Sequence, residues 1–258
     1  MAKNKNKMIT LRNLYYKIKF YLFGVSKEPI YDKTNSFIYD PFKTLSVGKI
    51  SQNKTWRNGL PWEHYGVYKG SDPKRVFIKD NKLNLVVDWN KDLACPTRGL
   101  LYSNFYIKHG IFRIRAKVSS IDGIGSALWT FGDNGMPEID ILETCGQHCN
   151  KISNIHHWGY DYGEKLGKRS TLNNSMSSFN FKPSETFYVY EIEFTPYKVI
   201  WRINGVITKV EKRGVPSNKQ HLILSVCQSE RCGKSKFENL GFYPSGMEID
   251  WVQVIKYK

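Results

Sequence analysis

At 258 residues the chain is long enough for one large β domain or two small ones, and none of its apolar runs approaches the length of a membrane span. Aromatic residues make up 14% of it, which suits strands and sugar-stacking surfaces alike. A net charge of +16 points to an anionic partner such as nucleic acid, a membrane surface or an acidic polysaccharide, although plain solubility accounts for it equally well.

The basic charge is densest at the start. Lys3, Lys5, Lys7, Arg12, Lys17, Lys19 and Lys27 face only Glu28 within the first thirty residues. Residues 1–35 read as a basic arm, partly helical or disordered, and residues 36–258 as the folded domain. The apolar stretch Ile18 to Val25 is broken by Lys19 and lacks a convincing small-residue cleavage site, so it is not a clean secretory signal. From Lys49 onward short strands alternate with turns. Val76 to Ile78 leads through Asp80-Asn81 into Leu83 to Val87. Ile111 to Val118 alternates as a half-buried strand, and Gly123 to Phe131 is an apolar strand rich in small residues. Ile152 to Trp158 follows, then a polar loop rich in Ser and Asn. Phe187 to Phe194, Lys198 to Ile203 and Val206 to Val210 come next, the last two joined by an Asn204-Gly205 hairpin turn. His221 to Val226 and Met247 to Tyr257 complete the set. Many short strands at regular spacing predict an all-β antiparallel sandwich.

Within this pattern Glu138-Ile139-Asp140-Ile141-Leu142-Glu143 stands out. On a strand Glu138 and Asp140 share a face, and Ile139 and Ile141 share the other. Glu143 has the wrong parity. One extra residue, a β-bulge at Ile141-Leu142, would bring it back beside the first two. Close carboxylates raise one another's pKa, so such a row adds no stability and suggests nucleophile and acid chemistry. A solvated strand face would carry the same three acids, and the hexapeptide alone favours that plainer explanation.

The five cysteines, Cys95, Cys145, Cys149, Cys227 and Cys232, lack the spacing of a zinc site. Free thiols are expected, with local disulfides as the alternative.

The order of these pieces resembles the family-16 glycoside hydrolases, the laminarinase, lichenase, agarase and carrageenase group. Glu138 to Glu143 resembles the bulged form of the family motif E-x-D-x-x-E. His109 to Lys117, Tyr188 to Pro196, Ile203 to Gly205 and Met247 to Val254 resemble further family strands in the same order, so the likeness spans roughly Thr55 to Tyr257. It implies a jelly-roll β-sandwich with a concave substrate cleft. It implies Glu138 as nucleophile, Glu143 as general acid and base, and Asp140 between them. The reaction implied is a retaining double displacement on a β-linked gluco- or galacto-polysaccharide. No catalytic cofactor is implied. Trp129, His157, Trp62 and Trp158 become candidate sugar contacts, with a core role equally open to Trp129 and with His156 facing away from the site. Asp250 matches a position where many family members hold a structural Ca²⁺, although a surface carboxylate is the simpler reading. Gly125-Ser126, Arg113 and Cys227 depart from the family pattern and leave the subfamily open.

The basic body favours an anionic glycan, while neutral β-glucan is the commoner family substrate. A non-hydrolytic carbohydrate-binding module and a transglycosylase on the same fold are the alternatives. A nucleic-acid ligand is not expected, because acids in the groove would repel phosphates. A monomer is expected. Localisation stays open: the family resemblance fits action outside the cell, while no clear signal peptide is present.

Overall fold

Strands of this chain sort their side chains by alternation. In Gly110–Lys117, Phe112, Ile114 and Ala116 are fully buried, while Arg113, Arg115 and Lys117 point outward. The outward cations meet acids on neighbouring strands: Arg113 pairs with Glu191, and Lys117 reaches Glu248 at 2.6 Å.

The computed structural model describes residues 2–25, 27–43, 55–61, 70–93, 95–133, 136–159, 170–178, 180–233 and 245–258. A helix, α1 (Ala2–Phe23), precedes sixteen strands. The first six are β1 (Ile38–Asp40), β2 (Trp56–Asn58), β3 (Val76–Lys79), β4 (Lys82–Asn90), β5 (Cys95–Arg98) and β6 (Leu100–Ile107). Then come β7 (Gly110–Lys117), β8 (Ile124–Gly132), β9 (Glu138–Cys145), β10 (Lys151–Trp158) and β11 (Ser170–Ser177). The last five are β12 (Tyr188–Thr195), β13 (Lys198–Ile203), β14 (Val206–Glu211), β15 (Gln220–Gln228) and β16 (Ser245–Lys256).

These strands form two antiparallel sheets packed as a jelly-roll sandwich. One runs β14-β13-β12-β7-β16-β4-β3, with β1 added to β16 and β5 to β4. The other runs β11-β10-β9-β8-β15-β6-β2. One large apolar core lies between them, including Leu128, Ile139, Ile141, Leu142, Trp201 and Leu224. A smaller cluster of Leu60, Leu100, Tyr102, Phe131 and Ile223, with Trp129 packed on it, lies on the outer face of the seven-stranded sheet. Parity explains the split. Trp129 and Phe131 alternate with the core residues Leu128 and Thr130 along β8.

Two sequence expectations change. The Ser- and Asn-rich stretch contains an edge strand, β11, that pairs with all of β10 from Lys151 to Trp158. The stretch Leu100–Ile107, not singled out by pattern, is a full strand between β2 and β15. The arm, expected to be partly helical or disordered, is helical over Ala2–Phe23. Phe20 of α1 is fully buried against Phe181, with ring centroids 5.2 Å apart. The Asn204-Gly205 turn is as expected, with φ of 45° and 78° and both residues left-handed.

The cysteines also differ. Neither local pairing forms; Cys145 at the end of β9 bonds Cys232, 87 residues away. Cys232 lies in the turn after β15, which folds back over Gly125, so tertiary proximity sets the pairing. Cys95, Cys149 and Cys227 are free thiols, as expected for those three.

Candidate active site

Strand β9 carries the acid row through the middle of the outer face. Glu138 lies opposite His157 on β10 and Phe131 on β8. Asp140 lies opposite Ile155 and Trp129. The register then slips. Glu143 lies opposite Ser153 and Ala127, so two residues of β9, Ile141 and Leu142, span the place of Asn154 alone on β10 and of Leu128 alone on β8. This is a β-bulge at the position the parity of the sequence required. Ile141 and Leu142 both turn into the core, and all three carboxyls reach the outer face.

Buried donors secure the bulge from beneath. The side-chain amide of Asn154 donates to the Ile141 carbonyl at 2.6 Å. Trp201 Nε1 donates to the Asp140 carbonyl at 2.9 Å. Thr208 Oγ1 donates to Asn154 Oδ1 at 3.1 Å, and Lys209 Nζ to the Asn154 carbonyl at 3.0 Å. A bulge leaves ladder groups unpaired, and here two of its carbonyls find side-chain partners instead. Lys209 is fully buried over the Trp201 ring at 4.4 Å. Burial pushes its ammonium down to about 7, against the opposing pull of Glu211 and Asp140.

The acids differ in surroundings. Asp140 is nearly buried, and its Oδ2 lies 3.7 Å from His157 Nε2. Glu138 Oε1 lies 3.8 Å from the same nitrogen. These two separations suit charge interaction and exceed hydrogen-bond length. Glu143 opens into a cavity of about 290 Å³ that Cys227, Ser153, His148, Lys151 and Arg231 help to line. Its accessible surface is large because the cavity is open, yet the walls displace enough water to raise its pKa, with Arg231 pulling the other way. Burial likewise raises the Cys227 thiol, which Arg98 opposes and Glu143 reinforces.

The other candidates separate clearly. Trp129 is half-buried next to Asp140, held by Nε1 donating to Ser225 Oγ at 3.1 Å and set edge-on to Phe131 at 5.8 Å. His157 faces the acids. His156 faces the core, where its Nε2 lies 3.0 Å from the Gly214 carbonyl and burial pushes its pKa down to about 3. Trp158 is not brought to the row. It shares the parity of His156, lies tilted against that ring with centroids 4.7 Å apart and packs against Gly214, so it buttresses the turn after β14. Trp62 lies outside the described residues. Asp250, the calcium candidate, has its Oδ2 held by Arg115 Nη1 at 2.8 Å, as a surface carboxylate in an ion pair would be. Calcium takes about six to eight oxygen ligands, and among the described residues no group of metal-binding side chains includes Asp250. The one such group, Glu138, Asp140 and His157, is the acid row itself.

Several residues that line or support the site carry no recognisable sequence signal. Phe131 follows from the parity of Trp129. Asn154 and Trp201 carry no local signal, and His148 and Arg231 sit in turns that only the fold brings together.

Residues 64–253 match the family model described as Glycosyl hydrolases family 16. The chain belongs to that family. Within family 16 it is 24% identical over 239 residues to the glucan endo-1,3-beta-glucosidase A1 of Niallia circulans, covering 78% of this chain and 33% of that protein. It is 24% identical over 184 residues to the kappa-carrageenase of Pseudoalteromonas carrageenovora, covering 61% and 46%. The chain thus spans less than half the length of either relative. The fold is similar to the catalytic domain of an endo-1,3-beta-glucanase (laminarinase) from Thermotoga petrophila RKU-1. The TM-score is 0.69 at 21% identity, covering 86% of this chain and 98% of that one.

Proposed function

We propose that this family-16 chain is an endo-acting β-glycosidase that cleaves a β-1,3- or β-1,4-linked gluco- or galacto-polysaccharide with retention. The observation that carries this reading is the bulge that returns Glu143 to the face of Glu138 and Asp140. Glu138 attacks the anomeric carbon from one side, and Glu143, whose pKa its cavity walls raise, donates its proton to the departing glycosidic oxygen. The glycosyl–Glu138 ester forms as the leaving chain departs with that proton. Glu143, now a carboxylate, takes a proton from water, whose oxygen attacks the same carbon and releases Glu138. Asp140 sits between the two glutamates and holds their protonation states apart, with His157 Nε2 within 4 Å of both Glu138 and Asp140. The Trp129 face, with Phe131 and Tyr102 beyond it, offers a sugar platform.

The relatives named above act on different glycans, a glucan and a carrageenan by name. The cavity beyond Glu143 favours an anionic substituent, because Lys151 and Arg231 among its lining residues are cationic. A panel of neutral β-glucans and sulfated or carboxylated β-galactans, read for reducing ends and product anomer, tests this reading. Freshly released β-anomers from one polymer are expected, with anionic polymers cut in preference. Product lengthening on oligosaccharides would assign transglycosylation, and glycan retention without any product would assign a binding module.

The electrostatics make a separate prediction. With Glu143 as the acid, kcat/KM declines as pH rises through its pKa in the free enzyme. Arg231 lowers that pKa, so Arg231→Ala raises it and carries the alkaline limb to higher pH. A limb that stays put or moves to lower pH places the essential acid elsewhere.

A further inference from the structure

Among the described residues, the contacts that hold helix α1 to the sandwich lie along one narrow face. Asn13 exchanges two hydrogen bonds with the backbone of Val210, donating to its carbonyl at 3.1 Å and accepting from its N–H at 3.0 Å. Seven residues on, Phe20 fills a buried site against Phe181. Asn13, Tyr16 and Phe20 therefore define the docked side, against β14 and β11 at the flank of both sheets.

The opposite side carries Leu11, Tyr15, Ile18 and Leu22, exposed by 59%, 58%, 50% and 62%. Spacings of four, three and four residues put them on one stripe, about half a turn from the docked side. Leu14 widens the stripe at 51% exposure. Arg12, Lys17 and Lys19 flank it, Lys3, Lys5 and Lys7 precede it, and no acidic residue comes before Glu28. A row of large apolar side chains turned away from the fold has no role in holding the helix.

We propose that α1 lies flat on an anionic lipid surface and tethers the sandwich there. The basic flanks match anionic headgroups, and the stripe between them matches the acyl boundary beneath. An anionic glycan would engage the cations and leave the leucines in water. A second copy would bring two strongly basic helices together. No described helix is long and apolar enough to cross a bilayer, which fits a helix lying in the interface. Because α1 sits at the flank, the outer face with the acid row stays open to a polymer while the helix is seated.

Flotation of the full-length protein with phosphatidylcholine vesicles, with and without phosphatidylglycerol, tests this. Binding is expected on the anionic vesicles and weakens with salt. Ile18→Ser with Leu22→Ser is expected to lower partitioning more than about tenfold. Arg12→Ser, Lys17→Ser and Lys19→Ser each lower it about fivefold on anionic vesicles. All five side chains are exposed, so melting temperature and hydrolysis of a soluble glycan should not change. Absence of binding overturns the proposal. Binding retained by the Ile18/Leu22 double variant reduces it to adsorption of a basic body and also overturns it. A dimer dispersed by that variant, with no vesicle binding by the parent, makes the stripe a contact between copies instead.

Discussion

Glu138→Gln is expected to lower kcat on the cleaved glycan by about 10⁴-fold or more, roughly 5.5 kcal/mol of activation free energy, with the fold intact. The carboxamide occupies the same space between Phe131 and His157, so β9 keeps its register. What is lost is the anionic oxygen that attacks the anomeric carbon. Glu138→Ala opens a gap where a small external anion such as azide can attack from the same side. The product of that rescue is an α-glycosyl azide, since a single displacement inverts the centre that two displacements retain. Glu143→Gln should behave differently. A natural glycosidic oxygen needs a proton to leave, whereas an activated aryl glycoside leaves without one. The first step on the aryl substrate should therefore survive Glu143→Gln and fail with Glu138→Gln. Wild-type turnover in Glu138→Gln, or a β-configured azide product, would remove Glu138 from the nucleophile's role.

The acid row was legible because strands have a period of two and Glu143 breaks it. Such a break in a strand between two neighbours requires a bulge, and the paired strands β8 and β10 both show the slip at Ile141-Leu142. The Asn204-Gly205 hairpin was legible because both residues tolerate left-handed backbone. Strand β11 was not, since an edge strand made of Ser, Asn, Thr and Met looks like a loop until its partner is known. Trp158 was misplaced by one position: the parity that turns His157 to the acids turns Trp158 away. Asp250 looked like a ligand in isolation, but Arg115 reaches it from the neighbouring strand. Cys145 and Cys232 are separated by so much chain that no spacing rule could pair them. Helix α1 gave a weak periodic signal because it is apolar on two opposite faces, one docked through Phe20 and one exposed through Ile18.

Asn154→Ala should cost about 3 kcal/mol of stability and, in the folded fraction, lower kcat by about 10²-fold. Asn154 is buried, and its side chain joins the Ile141 carbonyl to the Thr208 hydroxyl. Truncation leaves the bulge carbonyl without this donor in a dry core. The strand can regain a regular ladder there only by expelling its extra residue, and a one-residue slip turns Glu143 to the opposite face. Stability and catalysis are thus coupled through one amide. Thr208→Val separates the two effects, because it removes the hydroxyl's hydrogen bond to Oδ1 and leaves the amide on Ile141. About 1 kcal/mol of stability should be lost there, with kcat nearly unchanged. Chemical denaturation gives the first quantity, and turnover under conditions where each variant is fully folded gives the second. Asn154→Ala that is destabilised but turns over at the wild-type rate would show that the bulge holds Glu143 in place without Asn154. The positioning would then rest on the Trp201 bond to the Asp140 carbonyl and on the packing of Ile141 and Leu142 in the core.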